Sequence, residues 1–259
     1  MALTLLDVPL SPFAQKVKIV LREKQIPFTL QPGNIGVSDP VLLKANPRGE
    51  VPALIDGSDA VWDSTIILEY IEEKWPAPPM LPQAPLERAR SRQIEEICDG
   101  PLEAVIFGVA EVVFFKRAEG ELQARLLGEA KKTVAQILAW LEEQLGQHPY
   151  FNGESFGRAD AAVFPHVMNC RAQRMPPAEG SRLAAWLDRC LERPSIQQTL
   201  AEQKAGIGDF KALAEKFGKA EARRQYRDYR LDWMLQAGGL QVVQEGLAKG
   251  NIRFGGFAS

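Results

Sequence analysis

The sequence predicts an α/β domain followed by an all-helical domain. Up to residue 78, short strand-like runs alternate with helix-like stretches, whereas the chain from residue 86 onward is almost entirely helical in its apolar spacing. Five prolines fall between residues 76 and 85, a composition typical of a stiff linker. We therefore expect an α/β domain at 1–78, a helical domain at 86–203 and a helical extension at 204–259.

The first half of the α/β domain follows a β-α-β order. Residues 3–6 form a short apolar run of the kind seen in a strand buried on both faces. Ser11 then provides the N-cap and Pro12 the first position of a helix that Pro27 ends, and residues 28–30 predict the second strand. The stripe expected to be buried on this helix comprises Phe13, Ala14, Val17, Val20 and Leu21, with Lys16, Lys18, Arg22 and Glu23 away from it.

A hairpin and a further helix complete the domain. Residues 51–55 and 60–62 are apolar runs, and the Asp56-Gly57 pair between them is a turn signal. Ser64 can then cap a helix. The buried stripe of that helix is expected to be Ile67, Leu68 and Ile71. The complete order, β-α-β followed by β-β-α, is that of a thioredoxin-like domain, in which helices cover a mixed sheet.

The second part of the chain continues as helices. Helical spacing runs through residues 86–115, 121–145, 159–170 and 183–192, and Pro194 is expected to close the last of these helices. Residues 204–233 include eight basic and five acidic residues, and arginines alternate with aromatic residues in part of this run. We interpret this run as a solvated helix. A nucleic-acid surface is the weaker alternative, because the excess is only three charges.

Composition excludes several classes of protein. The 259 residues have a formal net charge of −2 and a pI near 5.9, so there is no basic field for general nucleic-acid binding. No apolar run approaches the roughly 18 residues that span a bilayer, and we expect no membrane segment. Three widely spaced cysteines and a beginning without signal-peptide features favour a reducing, cytoplasmic location. With only His148 and His166, a three-histidine zinc site cannot form, and we expect no metal.

Three motifs of the α/β domain combine hydroxyl groups, backbone donors and proline. Ser11 opens a Ser-Pro-Phe motif at a helix start, where backbone N–H groups favour an anion, although capping alone is the plainer interpretation. Residues 46–52, Asn-Pro-Arg-Gly-Glu-Val-Pro, place a proline at the opening of a strand, where it is either cis, as in thioredoxin-like domains, or trans at a sheet edge. Asp63 and Ser64 lie at a second helix start. The hydroxyl and the free backbone donors there suit an anion, or the two residues only cap the helix.

Together these motifs resemble the glutathione S-transferase superfamily. The likeness rests on Ser-Pro-Phe after the first strand, then Asn-Pro-x-Gly-x-Val-Pro-Ala-Leu, then an acidic residue and serine before a helix, and it covers about residues 3–200. Serine-type members with a tau-like Ser-Pro-Phe motif are the most similar. Residues 156–160, Phe-Gly-Arg-Ala-Asp, resemble the family's capping box and hydrophobic staple, with glycine where the family usually has serine or threonine.

The resemblance implies a conjugating enzyme with glutathione as co-substrate and no metal. Ser11 would donate a hydrogen bond to the glutathione thiolate and would not itself act as a nucleophile. The other implied glutathione contacts are Phe13, Lys44, Glu50, Val51, Pro52, Asp63 and Ser64. Among these, Val51 would pair its backbone with the cysteinyl unit, while Asp63 and Ser64 would hold the γ-glutamyl end.

Glu50 departs from the family pattern. Relatives often have lysine or glutamine just before the Val-Pro pair, where that residue reaches the glycyl carboxylate of glutathione. A carboxylate here would repel the glycyl carboxylate, so we hypothesise a weaker affinity for glutathione, unless Lys44 or Arg48 compensates.

The resemblance also implies an apolar acceptor site on the first helices of the helical domain. Its candidates are Phe107, Glu111, Phe114 and Phe115, although a helix that is apolar on several faces is usually buried. The implied partners are a hydrophobic electrophile and a second copy of the chain, with neither nucleic acid nor membrane. Two alternatives stay open: another glutathione-dependent enzyme (a lyase, isomerase or dehalogenase), and a non-enzymatic interaction module, which the extension would favour.

Overall fold

The α/β domain is built on a four-stranded mixed sheet. The computed structural model describes residues 3–35, 38–208, 212, 215, 226 and 228–249. The strands are β1 (Leu3–Asp7), β2 (Phe28–Pro32), β3 (Ala53–Asp56) and β4 (Asp59–Trp62), in the order β2-β1-β3-β4. β1 runs parallel to β2 and antiparallel to β3, and its apolar side chains are buried as predicted. This is the thioredoxin-like arrangement expected from the order of the elements.

Three helices complete the α/β domain. They are α1 (Pro12–Glu23), α2 (Pro40–Ala45) and α3 (Ser64–Lys74). Ser11 caps α1, as predicted, and its hydroxyl accepts a hydrogen bond from the Ala14 N–H at 3.3 Å. The short helix α2 lies between β2 and β3, in the segment that connects the β-α-β part of the domain to the hairpin. Asp39 caps it by accepting hydrogen bonds from two backbone N–H groups of its first turn.

The helical domain contains six long helices and one irregular segment among the described residues. The helices are α4 (Pro85–Ile97), α5 (Glu103–Val113), α6 (Gly120–Leu145), α7 (Arg158–Ala172), α8 (Arg182–Leu191) and α9 (Pro194–Ala205). A π-helical segment, Cys98–Leu102, divides the stretch predicted at 86–115, and Pro101 within it removes a backbone donor. Pro194 begins α9 and does not close α8, because proline is well suited to the first position of a helix.

One apolar core joins the two domains. It includes Leu5 and Val20 from the α/β domain together with Ile94, Val163 and Trp186 from the helical domain. The helix α1 packs against α3 of its own domain and against α7 and α9 of the helical domain. The two domains therefore share an extensive interface, and α1 lies at its centre.

The burial of α1 overturns one prediction about its polar residues. Lys16 and Lys18 were expected to lie away from the buried stripe, but both are 0% exposed. Neighbours cover α1 on both sides, so a polar residue there is buried and needs a partner of opposite charge. Lys16 pairs with Glu95 and Asp99, and Lys18 pairs with Asp7 and Glu202.

The start of α7 has the predicted capping arrangement. Gly157 is its N-cap, and the Asp160 carboxylate accepts a hydrogen bond from the Gly157 N–H at 2.9 Å and from the Trp186 indole N–H at 2.8 Å. Burial raises the pKa of Asp160 to about 6. A Cβ atom on Gly157 would lie 2.5 Å from side-chain atoms of Asn152. Asn152 would therefore have to move to admit a serine or threonine at this cap.

Two helices of the extension are described: α10 (Tyr229–Gln236) and α11 (Leu240–Lys249), which pack against each other. Exposed apolar side chains on this pair are Trp233, Leu235, Leu240, Val242 and Leu247. Arg223, Arg224 and Arg227 lie outside the described residues, as does most of the run of alternating charge and aromatic rings. Within the described part of the chain, no helix combines the length and the apolar character needed to cross a membrane.

Candidate active site

A cavity of about 140 Å³ lies where the α/β domain meets the helical domain. Its lining residues are Phe13, Asn46, Arg48, Glu50, Val51, Pro52, Asp63, Ser64, Thr65 and Asp99. Of the glutathione contacts implied by the sequence, Phe13, Glu50, Val51, Pro52, Asp63 and Ser64 line this cavity, whereas Ser11 and Lys44 do not. Three separate sequence motifs therefore converge on one cavity.

Ser11 lies at the N-terminus of α1, two residues before Phe13 in the cavity lining. Its side chain is half-buried, and its backbone N–H donates to the Val8 carbonyl at 2.8 Å, which fixes the turn that enters the helix. As a cap, the hydroxyl oxygen accepts the Ala14 N–H bond. A hydroxyl that accepts one hydrogen bond still has its own proton to donate. Ser11 can therefore cap α1 and donate to an anion at the same time.

The segment before β3 presents its backbone to the cavity. The Val51–Pro52 peptide bond is cis, which agrees with the first of the two interpretations of this motif. Asn46 is 1% exposed, and its amide donates to the Glu50 carbonyl at 2.8 Å while its carbonyl oxygen accepts from the Arg48 N–H at 3.0 Å. Sequence reasoning did not assign Asn46 to the site, although it belongs to the same motif. Its role is to hold the loop that positions Val51.

An arginine closes one wall of the cavity. The Arg48 guanidinium lies 3.0 Å from the Glu50 carboxylate and 3.2 Å from the Asp63 carboxylate, and it stacks over the Trp62 ring at 4.6 Å from the ring centroid. The Glu50 charge is thus paired within the protein. Lys44, the other basic residue considered as compensation for Glu50, is exposed and outside the cavity lining.

The N-terminus of α3 forms another part of the cavity lining, in contact with Arg48. Ser64 was predicted to cap this helix, but Asp63 is the cap, and its carboxylate accepts a hydrogen bond from the Thr65 N–H at 3.1 Å. Asp63 has a φ of 72°, a left-handed backbone conformation that directs the chain sharply from β4 into the helix. Ser64 is consequently the first helical residue, where its backbone N–H group is one that the helix cannot satisfy itself.

Asp99 lines the cavity and Lys16 lies behind it, and neither was predicted as a site residue. The Lys16 ammonium donates to Glu95 at 2.6 Å and also pairs with Asp99, which accepts from the His166 ring at 3.2 Å. Burial alone would raise the pKa of Asp99, but Lys16 and His166 hold it below its usual value. Burial would lower the pKa of Lys16, yet the two carboxylates hold it above its usual value. Both groups are therefore charged at neutral pH.

Further ion pairs continue this cluster away from the cavity. Arg158 donates to Glu95 at 2.7 Å and pairs with Glu69, which also accepts two hydrogen bonds from Arg92 at 2.6 and 2.9 Å. These hydrogen bonds from Arg92, together with the charge of Arg158, lower the pKa of Glu69 to about 2. The cluster links α1 and α3 of one domain to α4 and α7 of the other.

The candidate acceptor residues lie on and just after α5, and none of them is in the lining of the cavity. Phe107 packs edge-on against the ring of Tyr226 from the extension, with centroids 5.2 Å apart. The Tyr226 hydroxyl donates to Glu111 at 3.0 Å, and Arg117 pairs with the same carboxylate at 3.2 Å. Phe114 and Phe115 pack edge-on against each other, 5.1 Å apart. The extension therefore contacts the helix on which the acceptor site was predicted.

Two family models match the chain, "Glutathione S-transferase, N-terminal domain" over residues 5–79 and "Glutathione S-transferase, C-terminal domain" over residues 103–189. A probable glutathione S-transferase of Nicotiana tabacum, parC, is 32% identical over 222 residues, which are 83% of this chain and 96% of the relative. The chain belongs to the glutathione S-transferase family. The resemblance stated from the three motifs is confirmed.

Solved structures agree with this membership. A rice glutathione S-transferase in complex with glutathione is 30% identical, with a TM-score of 0.69, covering 83% of this chain and 97% of that one. A tau-class glutathione S-transferase from mango, Mangifera indica, is 25% identical, with the same TM-score of 0.69, covering 82% of this chain and 98% of that one. The fold predicted from the sequence is therefore that of glutathione S-transferases. The C-terminal family model ends at residue 189, before α9, α10 and α11 of this glutathione S-transferase.

In the described part of the chain, no group of three or more histidine, cysteine, aspartate or glutamate side chains has the arrangement of a metal site. His166 instead contacts Asp99 and lies 5.9 Å from the Phe13 ring. Cys98, Cys170 and Cys190 are free thiols and are buried.

Proposed function

We propose that this protein conjugates the thiolate of glutathione to an electrophilic carbon of an apolar small molecule. The sulfur would form the new C–S bond, and the leaving group of the electrophile would depart with its bonding electrons. The observation that supports this most directly is the convergence of a cis-Val51–Pro52 segment and the N-terminus of α3 on one cavity, with the start of α1 beside it.

The chemistry of the cavity fits a γ-glutamylcysteinyl peptide. The free backbone donors at the N-terminus of α3 suit a carboxylate, and the Asp63 and Asp99 carboxylates suit an ammonium. An α-amino acid has both groups, so this wall suits the γ-glutamyl end. The backbone of Val51, next to the cis bond, would pair with the cysteinyl unit and bring its thiol towards α1.

Ser11 would stabilise the thiolate. A free thiol has a pKa of about 8.5, and lowering it by about two units requires roughly 2.7 kcal/mol of preferential stabilisation of the anion. A hydrogen bond from the Ser11 hydroxyl and the partial positive charge at the start of α1 can together supply that amount. The position of the Ser11 hydroxyl at the first turn of α1, where it accepts the Ala14 N–H, supports this role.

The test is a conjugation assay in which glutathione is titrated against an aromatic halide electrophile. We expect Ser11→Ala to lower kcat/KM by about 30-fold, the loss of about 2 kcal/mol, since the charge at the start of α1 remains. This change also removes a helix cap, so Ser181→Ala is the matched control. Ser181 caps α8 through the same bond, from the Ala184 N–H at 3.1 Å, and α8 contributes nothing to the cavity lining.

Three results would count against the proposal. Equal activity of wild type and Ser11→Ala would remove Ser11 from the mechanism. Failure of both proteins to bind glutathione would instead favour an interaction module. An active wild type that prefers a lyase, isomerase or dehalogenase substrate would favour the other glutathione-dependent enzymes.

We also propose a homodimer in the cytoplasm. Ile66 lies on α3 beside the cavity and is 55% exposed, an exposed apolar side chain that a second copy of the chain could cover. Three free, buried cysteines are consistent with a reducing compartment. Light scattering of the purified protein tests the assembly, and a monomer at micromolar concentration would contradict it.

A further inference from the structure

The turn that leads into Ser11 is held from within the α/β domain by two hydrogen bonds. The Ser11 N–H donates to the Val8 carbonyl at 2.8 Å, and the side-chain amide of Gln15 donates to the Pro9 carbonyl at 2.8 Å. Gln15 is only 1% exposed, so its hydrogen bond is shielded from water. The backbone just before Ser11 therefore has a defined position relative to the first turns of α1.

The helix α9 lies antiparallel to α1. Arg193, just before α9, donates two hydrogen bonds to Glu23 at the end of α1, at 2.9 and 2.6 Å. Glu202, near the end of α9, pairs with Lys18 at 3.1 Å. Later residues of α9 thus meet earlier residues of α1, which shows that the two helices run in opposite directions. The end of α9 therefore approaches the start of α1, where Ser11 is the cap.

Gly206, the C-cap of α9, is the residue that meets this turn. It is buried, and a Cβ atom there would lie 2.9 Å from the Cβ and 3.0 Å from the Cγ of Pro9. Carbon atoms pack best at about 3.5–4.0 Å, so one added methyl group would have to push the two segments apart by about 0.5–1 Å. The φ of Gly206 is −78°, which any residue adopts. The close approach to Pro9 is therefore what requires glycine here.

Of the two segments, the turn is the one that would move. The helix α9 is anchored to α1, because Arg22 donates to Thr199 and pairs with Glu202. The ring of Pro9 is part of its own backbone, so pushing on the ring displaces the chain two residues before Ser11. Such a displacement changes where the Ser11 hydroxyl points, and hydrogen bonds weaken steeply as their geometry departs from linear.

We propose that Gly206 is a positioning residue for the thiolate, because its missing side chain leaves the Pro9 turn where the Ser11 hydroxyl can donate to the sulfur. The inference rests on the proposed function, since it concerns the same hydroxyl and the same thiolate. It goes further by giving α9, which lies beyond the C-terminal family model, a part in activating the thiol.

Titration of the thiol of bound glutathione, followed by ultraviolet absorbance, tests the proposal together with a conjugation assay. We expect Gly206→Ala to raise the thiol pKa by about one unit and to lower kcat/KM by about tenfold. This loss is smaller than that of Ser11→Ala, because the hydroxyl is displaced but still present. Gly208→Ala is the matched control, since a Cβ there would meet no atom of the described residues within 4 Å, and it should behave like the wild type.

A second background tests whether the effect passes through Pro9. Pro9→Gly removes both atoms that the new methyl group would meet and keeps the carbonyl that accepts from Gln15. In that background, adding Gly206→Ala should change kcat/KM by less than about threefold, because the two positions no longer collide. A general loss of stability caused by a side chain at position 206 would instead have the same effect in both backgrounds.

The outcomes separate the inference from the proposed function. A raised thiol pKa in Gly206→Ala that disappears in the Pro9→Gly background supports the inference. A wild-type thiol pKa in Gly206→Ala, when Ser11→Ala raises it, overturns the inference and leaves the proposed function in place. An effect that persists in the Pro9→Gly background also overturns the inference, as does a Gly206→Ala protein that fails to fold by circular dichroism. Failure of the wild type to bind glutathione overturns the proposed function and the inference with it.

Discussion

Lys16 and Lys18 lie two residues apart on α1, and both are fully buried between carboxylates, yet they belong to different regions of the molecule. On the cavity side, Lys16 pairs with Asp99, which lines the candidate active site. On the far side, Lys18 pairs with Asp7 of β1 and Glu202 of α9, neither of which lines the cavity. A buried ion pair by itself therefore indicates only a contribution to the stability of the fold. The Lys16 pair also belongs to the candidate active site, because its partner Asp99 lines the cavity.

The largest expected effect comes from replacing each lysine with methionine, which keeps an unbranched chain that is one atom shorter and removes the charge. Lys16→Met and Lys18→Met each leave carboxylates buried without their cation, so we expect either change to lower the free energy of unfolding by about 3–5 kcal/mol. Only Lys16→Met should also weaken glutathione binding, by about tenfold or about 1.4 kcal/mol, because Asp99 loses the partner that holds it at the cavity.

Urea unfolding followed by tryptophan fluorescence measures the first effect, and calorimetric titration with glutathione measures the second. The Lys18→Met protein is the control for the loss of a buried charge on the same helix. If it lost as much glutathione affinity as Lys16→Met, the distinction between the two sides of α1 would be wrong.

The contrast also shows what the sequence could and could not predict. The Ser-Pro cap, the Asp-Gly turn and the Val51–Pro52 segment depend on residues close together in the chain, and each lies where the sequence placed it. Lys16 and Asp99 are 83 residues apart, and each alone resembles an ordinary charged residue of a solvated helix face. Their pairing follows from the docking of α1 against the helical domain, which periodicity within one helix does not encode.

Other differences have local causes that a single sequence did not resolve. Pro101 lies inside the π-helical segment, where it removes a backbone donor, and Pro194 is the first residue of α9. Whether a proline interrupts a helix or begins one depends on its position in the helical turn. Arg48 was one of two residues suggested as compensation for Glu50, and only the structure shows that it pairs with Glu50. The contact of Tyr226 with α5 joins residues 115 positions apart.

A smaller effect is expected at Glu69, which extends the cavity-side cluster. Its pKa of about 2 in the folded protein lies below its ordinary 4.5. The stability that this carboxylate contributes is therefore fully present above pH 4.5 and is lost as the pH falls towards 2. We expect Glu69→Gln to lower the free energy of unfolding at pH 7 by about 1–2 kcal/mol, after allowance for screening by solvent.

The pH dependence of urea unfolding checks this prediction. Glu69→Gln should show a shallower loss of stability than the wild type between pH 4.5 and 2. Glu73→Gln, an exposed position on the same helix, should change stability by less than about 0.5 kcal/mol and keep the wild-type profile. Parallel profiles for wild type and Glu69→Gln would show that this part of the cluster contributes nothing to acid stability.

The smallest effect is expected at the contact between the extension and α5. Tyr226→Phe removes the hydroxyl that donates to Glu111 at 3.0 Å and keeps the ring that packs against Phe107. The free energy of unfolding should fall by about 0.5–1 kcal/mol, the usual net value of one hydrogen bond. If α5 forms the acceptor site, KM for the apolar electrophile should change by about two- to fivefold, while KM for glutathione should stay constant. A larger change for glutathione than for the electrophile would place the acceptor site elsewhere.

The central claim, that Ser11 stabilises a glutathione thiolate at the start of α1, is tested most directly by titrating the thiol of bound glutathione through the ultraviolet absorbance of its thiolate. The wild-type complex should show a thiol pKa about two units below the solution value of about 8.5. In Ser11→Ala the thiol pKa should return most of the way to the solution value, while Ser181→Ala should titrate like the wild type. An unchanged thiol pKa in Ser11→Ala would contradict the claim.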